Sequence, residues 1–143
     1  MAPDVRGFEF KLIAEPASVL IVRRALRALL RGVDLDPERV ADVVLATTEV
    51  CTNAVLHAYP GGEGVFYAGA SLPSGEVAVV VRDHGTGIGL GRRRSNLGVG
   101  LAVSAALADD LQIETLPDLG TEVRLSFRLR DGSPQPRREV IGR

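Results

Sequence analysis

The chain has 143 residues and a mass of 15.2 kDa, which fits one domain with its own hydrophobic core. Its 17 basic and 18 acidic residues leave a net charge of −1, so the charge balance does not point to a nucleic acid or a membrane surface as a direct partner. A single cysteine excludes an internal disulfide. Because the sequence lacks a signal peptide pattern and an apolar stretch long enough to cross a bilayer, we expect a cytoplasmic protein.

The first half of the chain predicts one strand followed by two helices. GFEFKLIA, residues 7–14, alternates apolar and polar side chains as a half-buried strand does. Residues 17–31 have the apolar spacing of a helix. A second helix is predicted from Asp36-Pro37, a typical cap and first-turn pair, to about Tyr59.

The second half predicts four strands, a glycine-rich segment and one further helix. The strands are expected near 64–71, 76–82, 111–115 and 121–129, and the helix over 99–109. Strictly alternating βαβ units are absent, so the order indicates an α+β two-layer sandwich: a mixed, mainly antiparallel sheet with three helices on one face. We assign residues 1–130 to the domain and expect residues 131–143 to form a mobile tail.

A polar stripe runs along the second predicted helix. Glu49, Asn53 and His57 are spaced by four residues and therefore share one helical face, with Asp42 roughly in line one turn earlier. The adjoining face is apolar. The stripe either faces water, as in an ordinary amphipathic helix, or lines a pocket with a carboxylate, an amide and an imidazole. The helix alone leaves both interpretations open.

The glycine-rich segment RDHGTGIGLGRRRSNLGVG does not match the common dinucleotide or phosphate loops. After Gly85-x-Gly87 a Rossmann fingerprint requires a third glycine at position 90, which is Leu90. A Gly-Lys-Ser/Thr sequence, which a P-loop requires, does not occur in the segment. These two classes of nucleotide site are excluded.

Two pieces of this segment have chemistry of their own. Asp83 ends an apolar strand and is followed by glycines, so its carboxylate can either close a turn or accept hydrogen bonds from the amino group of adenine beside open backbone. Gly98-Val99-Gly100 precedes a helix and is either a flexible helix start or an anion site built from unpaired backbone N–H groups.

Taken in order, four segments resemble the boxes of the GHKL ATPases, whose Bergerat fold binds ATP. They are Glu49 to His57 for the N box, Asp83 to Ile88 for the first glycine box, Leu97 to Leu101 for the second and Gly120-Thr121 for the third. The resemblance covers about residues 8–130 and implies the Bergerat fold.

Within that superfamily, TNAVLHAYP and LGVGLAVSAALADDLQI are similar to the anti-sigma factor serine/threonine kinases of bacteria. A sensor histidine kinase would need a phosphoacceptor histidine upstream, whereas His57 and His84 both lie inside the boxes. The resemblance implies a protein that holds a sigma factor and phosphorylates an anti-anti-sigma protein of the STAS type. It also implies a homodimer, which we expect to form through residues near 8–30.

The resemblance implies ATP and Mg²⁺ as cofactors and gives roles to individual residues. Asn53 would offer its amide oxygen to Mg²⁺, Glu49 would be the catalytic general base, and Asp83 would read the adenine amino group. The other residues that it assigns to ATP binding are Gly85, Gly87, Ile88, Leu97, Gly98, Gly100 and Thr121. His57 would either support the metal ligand without touching the metal itself or be a polar residue that ends the helix, and both roles stay open.

The segment between the first two glycine boxes departs from the anti-sigma kinases. Only ten residues, IGLGRRRSNL, separate Gly87 from Gly98, whereas the ATP lid of that family is longer. A short lid excludes less water from the phosphates. Arg92, Arg93 and Arg94 would compensate by pairing with phosphate, or they form a solvated loop. The sequence therefore leaves two functions open: a kinase that captures a sigma factor, and a nucleotide-gated binding protein with little phosphotransfer.

Overall fold

The computed structural model describes residues 7–57, 64–84, 98–117 and 120–129. The elements in chain order are β1 (Gly7–Ile13), α1 (Pro16–Leu30), α2 (Pro37–His57), β2 (Val65–Ser71), β3 (Glu76–Asp83), α3 (Gly98–Leu107), β4 (Asp110–Thr115) and β5 (Thr121–Arg128). Each predicted element is present, and its ends lie within two residues of the predicted ones. The predicted tail over 131–143 lies outside the described residues, so the domain boundary stays a prediction.

The helices begin and end where the sequence has the matching signals. Pro16 occupies the first turn of α1, where a missing backbone N–H costs nothing. The carbonyl of Asp36 accepts hydrogen bonds from the backbone N–H groups of Arg39 and Val40, both at 2.9 Å, and so closes the first turn of α2. α1 and α2 then turn apolar stripes towards the sheet, whereas α3 packs mainly against α2.

The five strands form one sheet in the order β1-β2-β3-β5-β4, and every described strand pair is antiparallel. The face of the sheet towards the helices carries the core, with Phe66 and Phe127 completely buried. The predicted α+β sandwich is therefore confirmed. Because β5 pairs with β3 along its whole length, Thr121 lies directly opposite Asp83.

Arg39 fastens the start of α2 to the end of α3. Its Nη1 donates to the carbonyl oxygen of Leu107 at 2.6 Å and to Asp42 at 3.1 Å, while Nη2 donates to Asp109 at 3.1 Å. The guanidinium group also lies 5.3 Å from the centre of the Phe127 ring. Asp42, which continues the polar stripe in the sequence, thus takes part in a structural ion pair at the far end of α2 from Asn53.

The outer face of the sheet holds a buried carboxylate between two arginines. The side chain of Glu122 is 5% exposed and accepts hydrogen bonds from Arg124 Nε at 2.6 Å and from Arg82 Nε at 3.3 Å. The hydrogen bond from Arg124 is the main reason why the pKa of Glu122 is lowered from its ordinary value. Folding therefore favours the charged form of the Glu122 carboxyl group.

This arrangement predicts a pH-dependent loss of stability. A carboxyl group whose pKa is lower in the folded than in the unfolded chain stabilises the fold above the unfolded pKa of about 4.3, and the effect is lost as the pH falls through the folded pKa. We expect Glu122→Gln to lower the free energy of unfolding at pH 7 by about 1 kcal/mol, a small value because both arginines are partly exposed. Below about pH 4 the variant and the wild type should converge.

Urea titrations at several pH values measure this effect. Glu9→Gln is the control, since Glu9 is an exposed carboxylate on β1, at the edge of the sheet opposite to β4. Stability curves of Glu122→Gln and wild type that stay parallel from pH 7 to pH 3 would contradict the assignment.

None of the described helices is long and apolar enough to span a bilayer.

Candidate functional site

A cleft opens between α2, α3 and the end of the sheet where β3 meets β5. Its cavity volume is about 20 Å³. Its apolar wall consists of Val50, Ala54, Val81, Leu101 and Val123, and its polar groups are Asn53, Asp83 and Thr121. An apolar wall with a few convergent polar groups is typical of a site that binds and orients a flat ring.

The inner end of the cleft is fixed by a close backbone contact. Asp83 is 6% exposed, and Thr121 is its cross-strand partner. Immediately before Thr121, a Cβ atom on Gly120 would overlap the carbonyl oxygen of Asp83 and lie 2.9 Å from the Cα of His84. Only glycine permits this approach, so Gly120 helps to hold the Asp83 backbone where its side chain enters the cleft.

The outer end of the cleft brings Glu49 and Asn53 against the first turn of α3. Both side chains are half-buried. A Cβ atom on Gly100 would lie 3.1 Å from Asn53 Nδ2 and 3.2 Å from Glu49 Oε1. The two polar side chains therefore face a neighbouring helix across a gap that any residue larger than glycine would narrow, and they do not form a freely solvated face.

Asn53 carries a buried amide nitrogen without a hydrogen-bond partner among the described residues. Buried polar atoms are normally paired, so this one marks a place for a ligand. The oxygen and nitrogen of an amide can exchange places by rotation, which would turn Oδ1 towards the same position. An amide oxygen beside a carboxylate is the kind of donor set that Mg²⁺ uses together with phosphate oxygens. The residues present therefore fit a magnesium–nucleotide complex.

The amino end of α3 completes this part of the site. The helix begins at Gly98, and its first backbone N–H groups have no partner within the helix. Such a helix end attracts anions, phosphate groups included. The structure thus brings Glu49, Asn53 and Gly100 together at one end of the cleft, and Asp83 and Thr121 at the other.

Several predicted site residues lie outside the described part of the chain. They are Gly85, Gly87, Ile88, Leu97, Arg92, Arg93 and Arg94. His57 is the last residue of α2, and the placement of its side chain is likewise outside the description. The roles of all these residues stay predictions.

Sequence reasoning missed the apolar wall of the cleft. Val50 and Ala54 directly follow Glu49 and Asn53 and so border the polar stripe. Leu101 is the last residue of the second glycine box. Adjacency to Glu49 and Asn53 is the signal that could have identified Val50 and Ala54.

Comparison with known proteins places this geometry in a family. The model of the histidine kinase-like ATPase domain matches residues 12–127. An anti-sigma F factor of Caldanaerobacter subterraneus is 26% identical over 129 residues, which cover 82% of this chain and 90% of that protein. The anti-sigma F factor of Bacillus subtilis is 26% identical over 133 residues, covering 85% of this chain and 90% of that protein. The predicted resemblance is confirmed.

Two solved structures share the fold. A Mycobacterium tuberculosis protein described by its RsbU and RsbW domains is 29% identical with a TM-score of 0.68, covering 90% of this chain. This chain spans only 33% of that one. A chain of the SiaB–SiaC complex from Pseudomonas aeruginosa also has a TM-score of 0.68, covers 85% of this chain and 90% of that one, and at 16% identity supports the fold alone.

Proposed function

Because the chain belongs to the histidine kinase-like ATPase domain family, we propose that it is an anti-sigma factor with ATP-dependent protein kinase activity. It captures a sigma factor and phosphorylates a serine or threonine of an anti-anti-sigma protein of the STAS type. The observation that carries the proposal is the cleft itself, in which Glu49 and Asn53 face Gly100 at one end and Asp83 stands at the other. The anti-sigma F factors among its relatives support the same assignment.

At the inner end, Asp83 selects the base. A carboxylate only accepts hydrogen bonds, so it pairs with the exocyclic amino group of adenine and repels the keto group that guanine has in that place. Thr121, opposite Asp83, adds a hydroxyl group that can donate or accept. The apolar wall covers the faces of the ring.

At the outer end, Glu49 and Asn53 have different roles at the phosphate groups. Bound Mg²⁺ would neutralise phosphate charge, and Asn53 is the residue that would hold it. Glu49, one helical turn away, takes the proton from the hydroxyl group of the protein substrate as that oxygen attacks the γ-phosphorus of ATP and the bond from this phosphorus to ADP breaks. The amino end of α3 holds phosphate oxygens through its backbone N–H groups.

A nucleotide-gated binding protein with little kinase activity is the second candidate. The ten residues between Gly87 and Gly98 favour it, because a short lid protects the phosphates less well from water. Incubation of the purified protein with radiolabelled ATP and a STAS-type substrate separates the two functions. Transfer of label to a serine or threonine supports the kinase, whereas sigma capture that depends on ATP without transfer supports the second candidate.

We also propose that the protein is a homodimer that acts in the cytoplasm, where sigma factors work. Within residues 8–30, Leu20 and Ile21 of α1 are 50% and 45% exposed and Ile13 at the end of β1 is 59% exposed, so each element offers apolar side chains that a second copy could cover. Light scattering should give twice the monomer mass. Leu20→Glu should shift it towards the monomer, and Leu45→Glu, which alters an equally exposed leucine on α2, should not. A wild-type mass equal to that of one chain at all concentrations would refute the dimer.

A further inference from the structure

We propose that Ser104 is a positioning residue for the phosphate end of the site. Its hydroxyl group fixes where α3 lies on α2, and through α3 it fixes the distance from Gly100 to Glu49 and Asn53. The inference rests on the proposed function for its ligand, but its geometry does not depend on kinase activity.

Ser104 forms a side-chain hydrogen bond between the two helices at the level of the site. The residue is completely buried, and its Oγ donates to the carbonyl oxygen of Ala46 at 2.9 Å. The carbonyl of Gly100, one turn earlier in α3, is a second acceptor at 3.2 Å. A hydroxyl group has only one proton, so the shorter bond to Ala46 is the main one.

The two ends of this bond are close to the functional side chains in the sequence. Ala46 precedes Glu49 by three residues on α2, and Gly100 precedes Ser104 by four on α3. The hydrogen bond thus lies about one helical turn from Glu49 on α2 and from Gly100 on α3, and about two turns from Asn53. A change in the distance between α2 and α3 at Ser104 therefore also changes the gap between Gly100 and Glu49.

The composition of α3 explains why one hydroxyl group matters. In its sequence GVGLAVSAAL, serine is the single polar residue, and the rest are glycine, alanine, valine and leucine. Small apolar side chains pack in several similar positions, whereas a buried hydroxyl group must find an acceptor. At the other end of α3, Arg39 binds the carbonyl oxygen of Leu107 at 2.6 Å. The helix is therefore fastened at its middle and its end, and these two contacts set the position of its first turn.

The base end of the site does not depend on this contact. Asp83 and Thr121 belong to the sheet, and among the described residues of α3 Leu101 is the one whose side chain lines the cleft beside them. Loss of the Ser104 hydroxyl group should therefore weaken the binding of phosphates and spare the binding of the base.

The test compares ATP with adenosine in Ser104→Ala. We expect the dissociation constant of ATP in the presence of Mg²⁺ to rise roughly three- to tenfold, the scale of a helix-end phosphate contact, while that of adenosine changes less than about twofold. Ser104→Thr keeps the hydroxyl group and should restore ATP affinity. Val77→Ala is the control, because it removes fully buried core volume at the end of β3 away from Asp83 and should lower the melting temperature without changing either ligand.

Each result decides one point. Equal weakening of ATP and adenosine, or an ATP affinity that Ser104→Ala leaves unchanged, overturns the proposal. Wild-type protein that binds ATP but transfers no phosphate removes the kinase function and leaves the role of Ser104 intact. If wild-type protein binds no ATP, the proposed function fails. Hydrogen exchange then decides the position of α3: the amides of Leu101 and Ala102 should exchange faster in Ser104→Ala than in Val77→Ala.

Discussion

Asp83→Asn is expected to raise the dissociation constant for ATP about 100-fold, the largest change in affinity that we predict for a single side chain. The carboxylate is 6% exposed and stands at the closed end of the cleft. Asparagine has nearly the same shape, but one of its two polar groups is a donor. Where that NH₂ group faces the amino group of adenine, two donors meet in a buried place and neither is paired.

The same reasoning predicts discrimination between purines. Wild-type protein should bind ATP much more tightly than GTP, and Asp83→Asn should lose most of that preference because its amide can donate to a keto group. Calorimetry with both nucleotides in Mg²⁺ measures the two effects. Asp110→Asn is the control, since Asp110 is an exposed acid at the far end of β4 from Thr115. Equal affinities of the wild type for ATP and GTP would show that Asp83 does not read the base.

The elements of the fold could be predicted because their signals are local. Pro16 and the pair Asp36-Pro37 mark helix starts, and each strand shows its own alternation of apolar and polar residues. These patterns depend on neighbours in the chain, so one sequence contains all the information that they need.

The order of the strands could not be predicted in the same way. Neighbours in the chain such as β4 and β5 do pair, but β5 also lies between β4 and β3. That placement brings Thr121 opposite Asp83, although 37 residues lie between them in the chain. Pairing of strands so far apart leaves no periodic signal in either strand, because it depends on how the whole sheet is assembled.

Contacts between helices could not be predicted from the sequence for a similar reason. Asp42 fits the polar stripe by spacing, yet it pairs with Arg39, which also donates to the carbonyl oxygen of Leu107 at the end of α3. Ser104 is a lone serine among alanines in the sequence, and only the packing of α3 on α2 shows that its hydroxyl group reaches Ala46. Spacing identifies which residues share a face, whereas the structure shows what that face meets.

Glu49→Gln and Asn53→Ala should separate chemistry from binding, although the two residues lie one turn apart on α2. A general base acts on a proton that is being transferred. Its removal therefore lowers the rate of phosphate transfer about 10²–10⁴-fold without weakening the binding of the nucleotide. We therefore expect Glu49→Gln to bind ATP and Mg²⁺ almost as the wild type does, to capture a sigma factor, and to transfer almost no phosphate.

Asn53→Ala should fail at an earlier step. A residue that holds the metal acts on the bound nucleotide itself, so its loss should reduce affinity for ATP in Mg²⁺ as well as the rate. The affinity measured in EDTA should differ much less between Asn53→Ala and wild type, because without metal the amide has less to hold. Glu49→Gln serves as the matched control for this measurement, being a neighbouring side chain of the same helix face.

The pair of variants also decides between the two candidate functions. If Glu49→Gln transfers phosphate at the wild-type rate, Glu49 is not the base, and its position against Gly100 has only a structural meaning. If the wild type transfers none but both it and Glu49→Gln capture a sigma factor in the presence of ATP, the protein is a nucleotide-gated binder. In that outcome Asn53→Ala should still lose capture, because nucleotide binding, which both functions share, depends on the metal that Asn53 holds.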